Sequence, residues 1–229
     1  MFYFRLNKVK ILDNRERARL LGLLSRDRAE VEFVSLVTTG NDDFPSLDEL
    51  VATSDPARRR TLVRDLVQTV AASRLIRTVK HVKDGHVFTF GDVGYALYVS
   101  PTIPDDFNVV LLGIERDDDE RDLAATVFDM VSDEEFDAFS TNLLTLLSQA
   151  ANPVWVAGVQ VSRFVVRAWS KWLMSAEDDQ VGPLYMSLNR AEHYRHGKRD
   201  KQDVPDLTGN MFIDYTIFAA EPDVPPLPA

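Results

Sequence analysis

Residues 209–219, GNMFIDYTIFA, alternate Met211, Ile213, Tyr215 and Ile217 against Asn210, Asp214 and Thr216, the period of a strand with one buried face. At the other end of the chain Phe2, Phe4 and Leu6 keep the same two-residue period, and then Val9 and Ile11 carry it in the opposite phase. One extra residue near Asn7-Lys8, a β-bulge, reconciles the two halves of that strand. Working inward, Glu30–Thr38, Leu75–Val82, Val87–Phe90, Tyr95–Val99, Phe107–Ile114 and Leu184–Leu188 are further β-rich runs. Asp84-Gly85 between two of them predicts a hairpin. Arg190–Asp206 reads as a long polar loop, and the tail EPDVPPLPA is too rich in proline to join a sheet or helix.

Helical periods occupy two regions. Asp55-Pro56 caps a helix whose Leu62, Val63, Leu66, Val67 and Val70 share one face and predict packing on a sheet, and Ser46 with Glu49 has capping-box spacing. From Asp122 a longer helical stretch starts through Leu123, Val127 and Val131. A second capping box, Ser132 and Glu135, then leads into Phe136, Phe139, Leu143, Leu146 and Leu147, and Asn152-Pro153 ends that helix and starts another. In the last helix Gln160, Arg163, Arg167 and Lys171 form a narrow polar stripe, and apolar residues cover the rest. Residues 138–162 carry no charge, yet Asn142, Thr145, Ser148, Gln149 and Asn152-Pro153 interrupt them, so a helical pair describes them better than a membrane span.

Together these patterns predict an α+β chain: an antiparallel β-sandwich of about seven or eight strands over residues 1–221, with a helical hairpin inserted at about 120–175 before the penultimate strand. Residues 222–229 are expected to be a disordered tail.

Composition narrows the chemistry. The chain has 229 residues with 45% hydrophobic and 27% charged residues, a formal charge of −10 and no cysteine. The averaged field repels a phosphate backbone, which argues against nucleic acid as a partner. Thiolate catalysis, disulfides and sulfur-ligated metal sites are excluded. The start MFYFRLNKVKIL is not a signal peptide, so the expected location is cytoplasmic. No dinucleotide fingerprint, phosphate-binding glycine loop or G-x-S-x-G elbow is present. His193 and His196 have the i, i+3 spacing that would serve a metal-dependent hydrolase if that stretch were helical, although the surrounding HGKRDKQD has the makeup of an exposed loop. Arg58-Arg59-Arg60 sits at the start of a helix, against the dipole, and is either an anion contact or surface charge neutralised by Asp55 and Asp65.

The acidic run Glu115, Asp117, Asp118, Asp119, Glu120 and Asp122 follows directly on FNVVLLGI. Carboxylates crowded at a strand end repel one another until a divalent ion neutralises them, which makes this run a candidate calcium loop. Asn41-Asp42-Asp43 and Asp105-Asp106 add ligands only if their loops lie at the same end of the sheet.

The opening FRLNKVKILDN (4–14), the entry VVLLGIERDDDERD (109–122) and the closing GNMFIDYTIF (209–218) resemble elements of C2 domains. The resemblance implies an eight-stranded sandwich that binds calcium and phospholipid. Asp117, Asp119 and Asp122 match that family's third calcium-binding loop, and its first-loop aspartates have no counterpart here. The function expected on these grounds is a non-enzymatic binding or adaptor module with calcium-assisted contact to a membrane surface or a protein partner. The alternatives are an effector or toxin-like protein that uses a 133–175 hairpin to bind a partner or enter a membrane, and the metal-dependent hydrolase.

Overall fold

The computed structural model describes residues 1–14, 29–40, 42, 44, 47–71, 74–115, 127–128, 131–175 and 180–221, with residues 74–77, 172–175 and 180 described by their backbone alone. Among them the chain is α+β, with nine strands and five helices. In order these are β1 (Phe2–Ile11), β2 (Ala29–Thr39), α1 (Leu47–Ala52), α2 (Pro56–Ala71), β3 (Arg74–Val82), β4 (Val87–Thr89) and β5 (Tyr95–Ser100). There follow β6 (Asp106–Glu115), α3 (Asp133–Leu147), α4 (Pro153–Ser175), β7 (Gln180–Asn189), α5 (Arg190–His193), β8 (Gly197–Pro205) and β9 (Met211–Ala219).

The strands form two antiparallel sheets, an arrangement compatible with a β-sandwich. The first runs β4-β1-β9-β8, with β5 sharing one edge of β1 with β4, and the second runs β3-β2-β6-β7. The two ends of the chain belong to one sheet, since β1 pairs with β9 from Phe2↔Ala219 to Ile11↔Met211. The register shifts between Leu6 and Lys8, which puts the bulge at Asn7. There the freed Asn7 carbonyl accepts from Phe90 N (3.1 Å), and its side-chain amide donates to Thr216 Oγ1 (2.8 Å).

Two apolar layers result. Between the sheets lie Phe2, Phe4, Leu6, Val9 and Ile11 of β1, Val31 and Phe33 of β2, Phe107, Val109 and Leu111 of β6, and the alternating residues of β9. Phe4 stacks between Phe107 (5.2 Å) and Tyr215 (5.0 Å), where ring pairs add to area burial. On the other face of the second sheet, Val34 and Leu36 of β2 and Val110, Leu112 and Ile114 of β6 meet the buried faces of α2, α3 and α4. Strand β6 is thus covered on both sides, which is why its sequence is a nearly unbroken apolar run.

The structure corrects the sequence reading in three places. The Asp84-Gly85 turn forms, with Gly85 at φ +70° and His86 N donating to Lys83 O (3.1 Å), yet it is not a hairpin. Strand β3 stays paired to β2 in the second sheet, and β4 joins β1 in the first. The corner is held by the end of β1: Ile11 N donates to His86 O, Gly85 N to Leu12 O, and Asn14 N to Asp84 Oδ1. Residues 190–206 are not a loop; they contain α5 and the edge strand β8. In consequence α3 and α4 precede the third strand from the end, not the penultimate one. The proposed cap at Ser46 falls outside the described residues, and Glu49 gives its carboxylate to Arg58 through a two-bond contact (2.6 and 2.8 Å).

Candidate functional site

Helices α3 and α4 begin as their sequences dictate. The Ser132 side chain accepts from Glu135 N (3.2 Å) while the Glu135 carboxylate accepts from Ser132 N (3.3 Å), a complete capping box. Asn152 Oδ1 accepts from Trp155 N (3.0 Å), and Pro153 fills the first turn, where its missing N–H has no partner to lose.

One face of α4 lies on the second sheet. Ala157, Val161, Val165, Ala168 and Trp169 enter the apolar layer, and at Gly158 the helix comes so near β2 that an added Cβ would stand 3.0 Å from Thr38. Next to this close approach, the fully buried Asn108 donates to Thr38 Oγ1 (3.2 Å) and to Ser162 Oγ (3.2 Å), pinning the helix to the sheet. Asn108 Oδ1 is buried without a hydrogen-bond partner.

The polar stripe of α4 faces α3, and the two helices leave a groove of about 370 Å³ between them. Its floor is Phe139 of α3 stacked on Phe164 of α4, with ring centroids 4.0 Å apart and planes 16° apart. Ala138 and Ala168 are too small to fill the space beside these rings. The Lys171–Glu135 ion pair stands towards one end of the groove's lining, and Asn142 and Gln160 towards the other. The Lys171 ammonium, aided by Ser132 N, holds the Glu135 carboxyl below the usual carboxylate range.

Arg163 and Arg167 stand along the same wall, both exposed. Arg163 lies over the Tyr185 ring of β7 (5.7 Å), and neither guanidinium has a carboxylate partner among the described residues. A chain with a formal charge of −10 therefore carries a local excess of positive charge beside a floor formed by the partly buried Phe139 and the buried Phe164. The ionisable side chains that line the groove are Glu135, Arg163, Arg167 and Lys171.

The residues singled out by sequence fall elsewhere. Asp117, Asp119 and Asp122 lie outside the described residues. Strand β6 leaves its sheet for them at Glu115, whereas Asp105 and Asp106 stand at its opposite end, beside the end of β2, where Gly40 N donates to Asp106 O (3.4 Å). Asp42 joins that end but is engaged by Thr39, accepting from its N (2.7 Å) and Oγ1 (2.8 Å). Burial raises the Asp42 carboxyl above its usual range, and these two bonds act against the shift. Among the described residues no three metal-ligating side chains converge.

His193 and His196 do not share a helical face. Helix α5 ends at His193, Tyr194 (φ −150°, ψ 53°) breaks the turn and buries its ring in the sheet–sheet layer, and His193 Nδ1 accepts from Asn189 N (3.1 Å). The three arginines of α2 also have local partners. Arg58 pairs with Glu49, Arg59 donates to Thr53 O (2.8 Å), and Arg60 bridges Asp133 and Asp137 at the start of α3. No helix among the described residues is long and apolar enough to cross a membrane.

Sequence reasoning found the cationic stripe but missed its partner. The available signal was Phe139, an aromatic on the flank of the apolar stripe of α3, opposite cations spaced by four residues on the following helix. A scan against protein-family models finds no match to this chain, and neither does a search of curated proteins.

Proposed function

We propose that this protein is a non-enzymatic binding module, an adaptor that meets a protein partner through the groove between α3 and α4. The observation that carries this reading is the pairing of a stacked aromatic floor, its Phe139 ring partly accessible, with two exposed guanidinium groups that have no carboxylate partner among the described residues, on a chain that is acidic overall. Apolar floor gives binding energy roughly in proportion to the area removed from water, and a few fixed charges set orientation and choice of partner. The likeness to C2 domains belongs to the proposal at the level of two facing antiparallel sheets, one of which holds both ends of the chain. Calcium held by Asp117, Asp119 and Asp122 is the assisting ion that this likeness implies, acting by cancelling loop charge that repels an anionic surface.

The test is selection of displayed random peptides on the folded protein, followed by binding to an Ala138→Trp variant. Ala138 is exposed at the rim, so an indole there fills the groove without entering either apolar layer. Selected peptides are expected to lose at least tenfold in affinity for the variant, whose thermal unfolding stays unchanged. Peptides that bind the variant equally well, or a selection that enriches nothing, would remove the groove as the recognition surface.

A further inference from the structure

Building on the binding-module reading, we infer that the occupant of the α3–α4 groove is an acidic amphipathic helix of a partner protein. The groove, at about 370 Å³, is near the small end of ligand pockets, roughly 300–1,000 Å³. It admits one or two large apolar side chains and leaves the rest of any partner lying across its mouth. The Phe139–Phe164 pair receives those side chains.

The charges then determine what flanks them. Arg163 and Arg167 are one turn apart on α4, a rise of about 6 Å, and a partner helix presents carboxylates at i and i+4 with the same repeat. Guanidinium groups take carboxylates in two-bond geometry, and beside an apolar floor such pairs are less screened than on an open surface. Lys171 is already matched by Glu135, so the carboxylate-seeking part of the wall is confined to Arg163 and Arg167.

A basic helix would meet two cations at this wall, and a nucleic acid would meet the acidic remainder of the molecule. That acidic remainder repels an acidic helix elsewhere and steers it to this face.

The experiment uses the full chain and three fluorescent helical peptides of about 18 residues. They share one Leu/Phe stripe, and the positions flanking it carry Glu, Gln or Lys. Anisotropy titrations should give the Glu peptide at least tenfold tighter binding than the Gln peptide, weakening as salt rises, with the Lys peptide the weakest. The Arg163→Glu/Arg167→Glu variant should lose the Glu peptide and gain the Lys peptide, a reversal that loss of fold cannot produce.

Equal binding of all three peptides, abolished by Ala138→Trp, overturns the acidic occupant while leaving the groove reading intact. No binding of any peptide up to millimolar concentration overturns the inference as well. So does binding to phosphatidylserine vesicles that needs Arg163 and Arg167 when no peptide binds; that result assigns the wall to an anionic membrane.

Discussion

Asp106 enters the second sheet at the first position of β6, partly buried, with Asp105 beside it. Arg190 pairs with Asp105 (3.9 Å) and with Glu221. Burial first, and the Asp105 charge second, raise the Asp106 carboxyl above its ordinary range. An acid whose folded pKa is raised costs stability wherever it is ionised. That cost is full above the folded pKa, falls as pH drops through it, and is gone below the unfolded value near 4. Asp106→Asn is therefore expected to raise Tm at pH 7 by about 1–2 °C and to change nothing near pH 3. A gain that persists at pH 3, or a loss at pH 7, would show that the carboxylate makes a favourable contact; thermal melts across pH decide. Single residues were unevenly legible in the sequence. The Asn7 bulge and the caps at Ser132 and Asn152 follow from local rules. Gly182 did not, because its reason lies far along the chain: an added Cβ there would overlap the Asp206 carboxylate, which caps the β8–β9 turn by accepting from Thr208 and Asn210.

Among the elements, those with one buried face were readable and those without were not. Helices α2, α3 and α4 and strands β1 and β9 announce themselves because their apolar residues recur at the period of the element. Strand β8 lies at the edge of its sheet with most of GKRDKQDVP exposed, so nothing in its sequence alternates. Its charges guard an open edge against pairing with another chain. Strand direction is equally invisible until partners are known, and it bears on which carboxylates the calcium proposal can draw on. Strand β6 has ten residues, so its ends are separated by about 30 Å. Asp105 and Asp106 accordingly stand at the end of β6 remote from Glu115, and the calcium proposal rests on Asp117, Asp119 and Asp122, which lie outside the described residues. Calcium affinity is expected in the range of about 10⁻⁴–10⁻³ M, typical of weak sites. A ligand that binds the native state alone raises its stability as concentration passes Kd. Calcium, and not equal magnesium, should raise Tm only at millimolar levels, and Asp117→Asn/Asp119→Asn/Asp122→Asn should abolish the rise. A shift at micromolar calcium would require ligands from another element, and no shift up to 10 Kd of the expected range would remove the ion from the proposal.

For the whole molecule, the α+β class and the shared sheet of the two chain ends were legible, because each follows from periods within segments. The groove was not, since it exists only where Phe139 and Phe164 meet across two helices, and the overall charge of −10 hides a cationic wall. The same geometry bears on whether the helices act as a detachable arm, as a toxin-like or effector reading requires. Strands β2 and β6 each contribute one face to the sheet–sheet layer and the other to the sheet–helix layer, and Asn108 ties α4 to both strands through its bonds. The two layers should therefore unfold together. Phe107 touches Phe2, Phe4 and Tyr98 at 5.2–5.4 Å in the layer remote from the helices. Truncating it to Ala should cost about 3–5 kcal/mol. All three tryptophans, Trp155, Trp169 and Trp172, belong to α4, so tryptophan fluorescence reports the helical layer alone while far-UV circular dichroism reports every element. In denaturant titrations of Phe107→Ala the two signals should coincide and move by the same amount, because β6 carries the damage from one layer to the other. If fluorescence changes first and its midpoint ignores the substitution, α3 and α4 open on their own, and the arm becomes the better account of what this fold does.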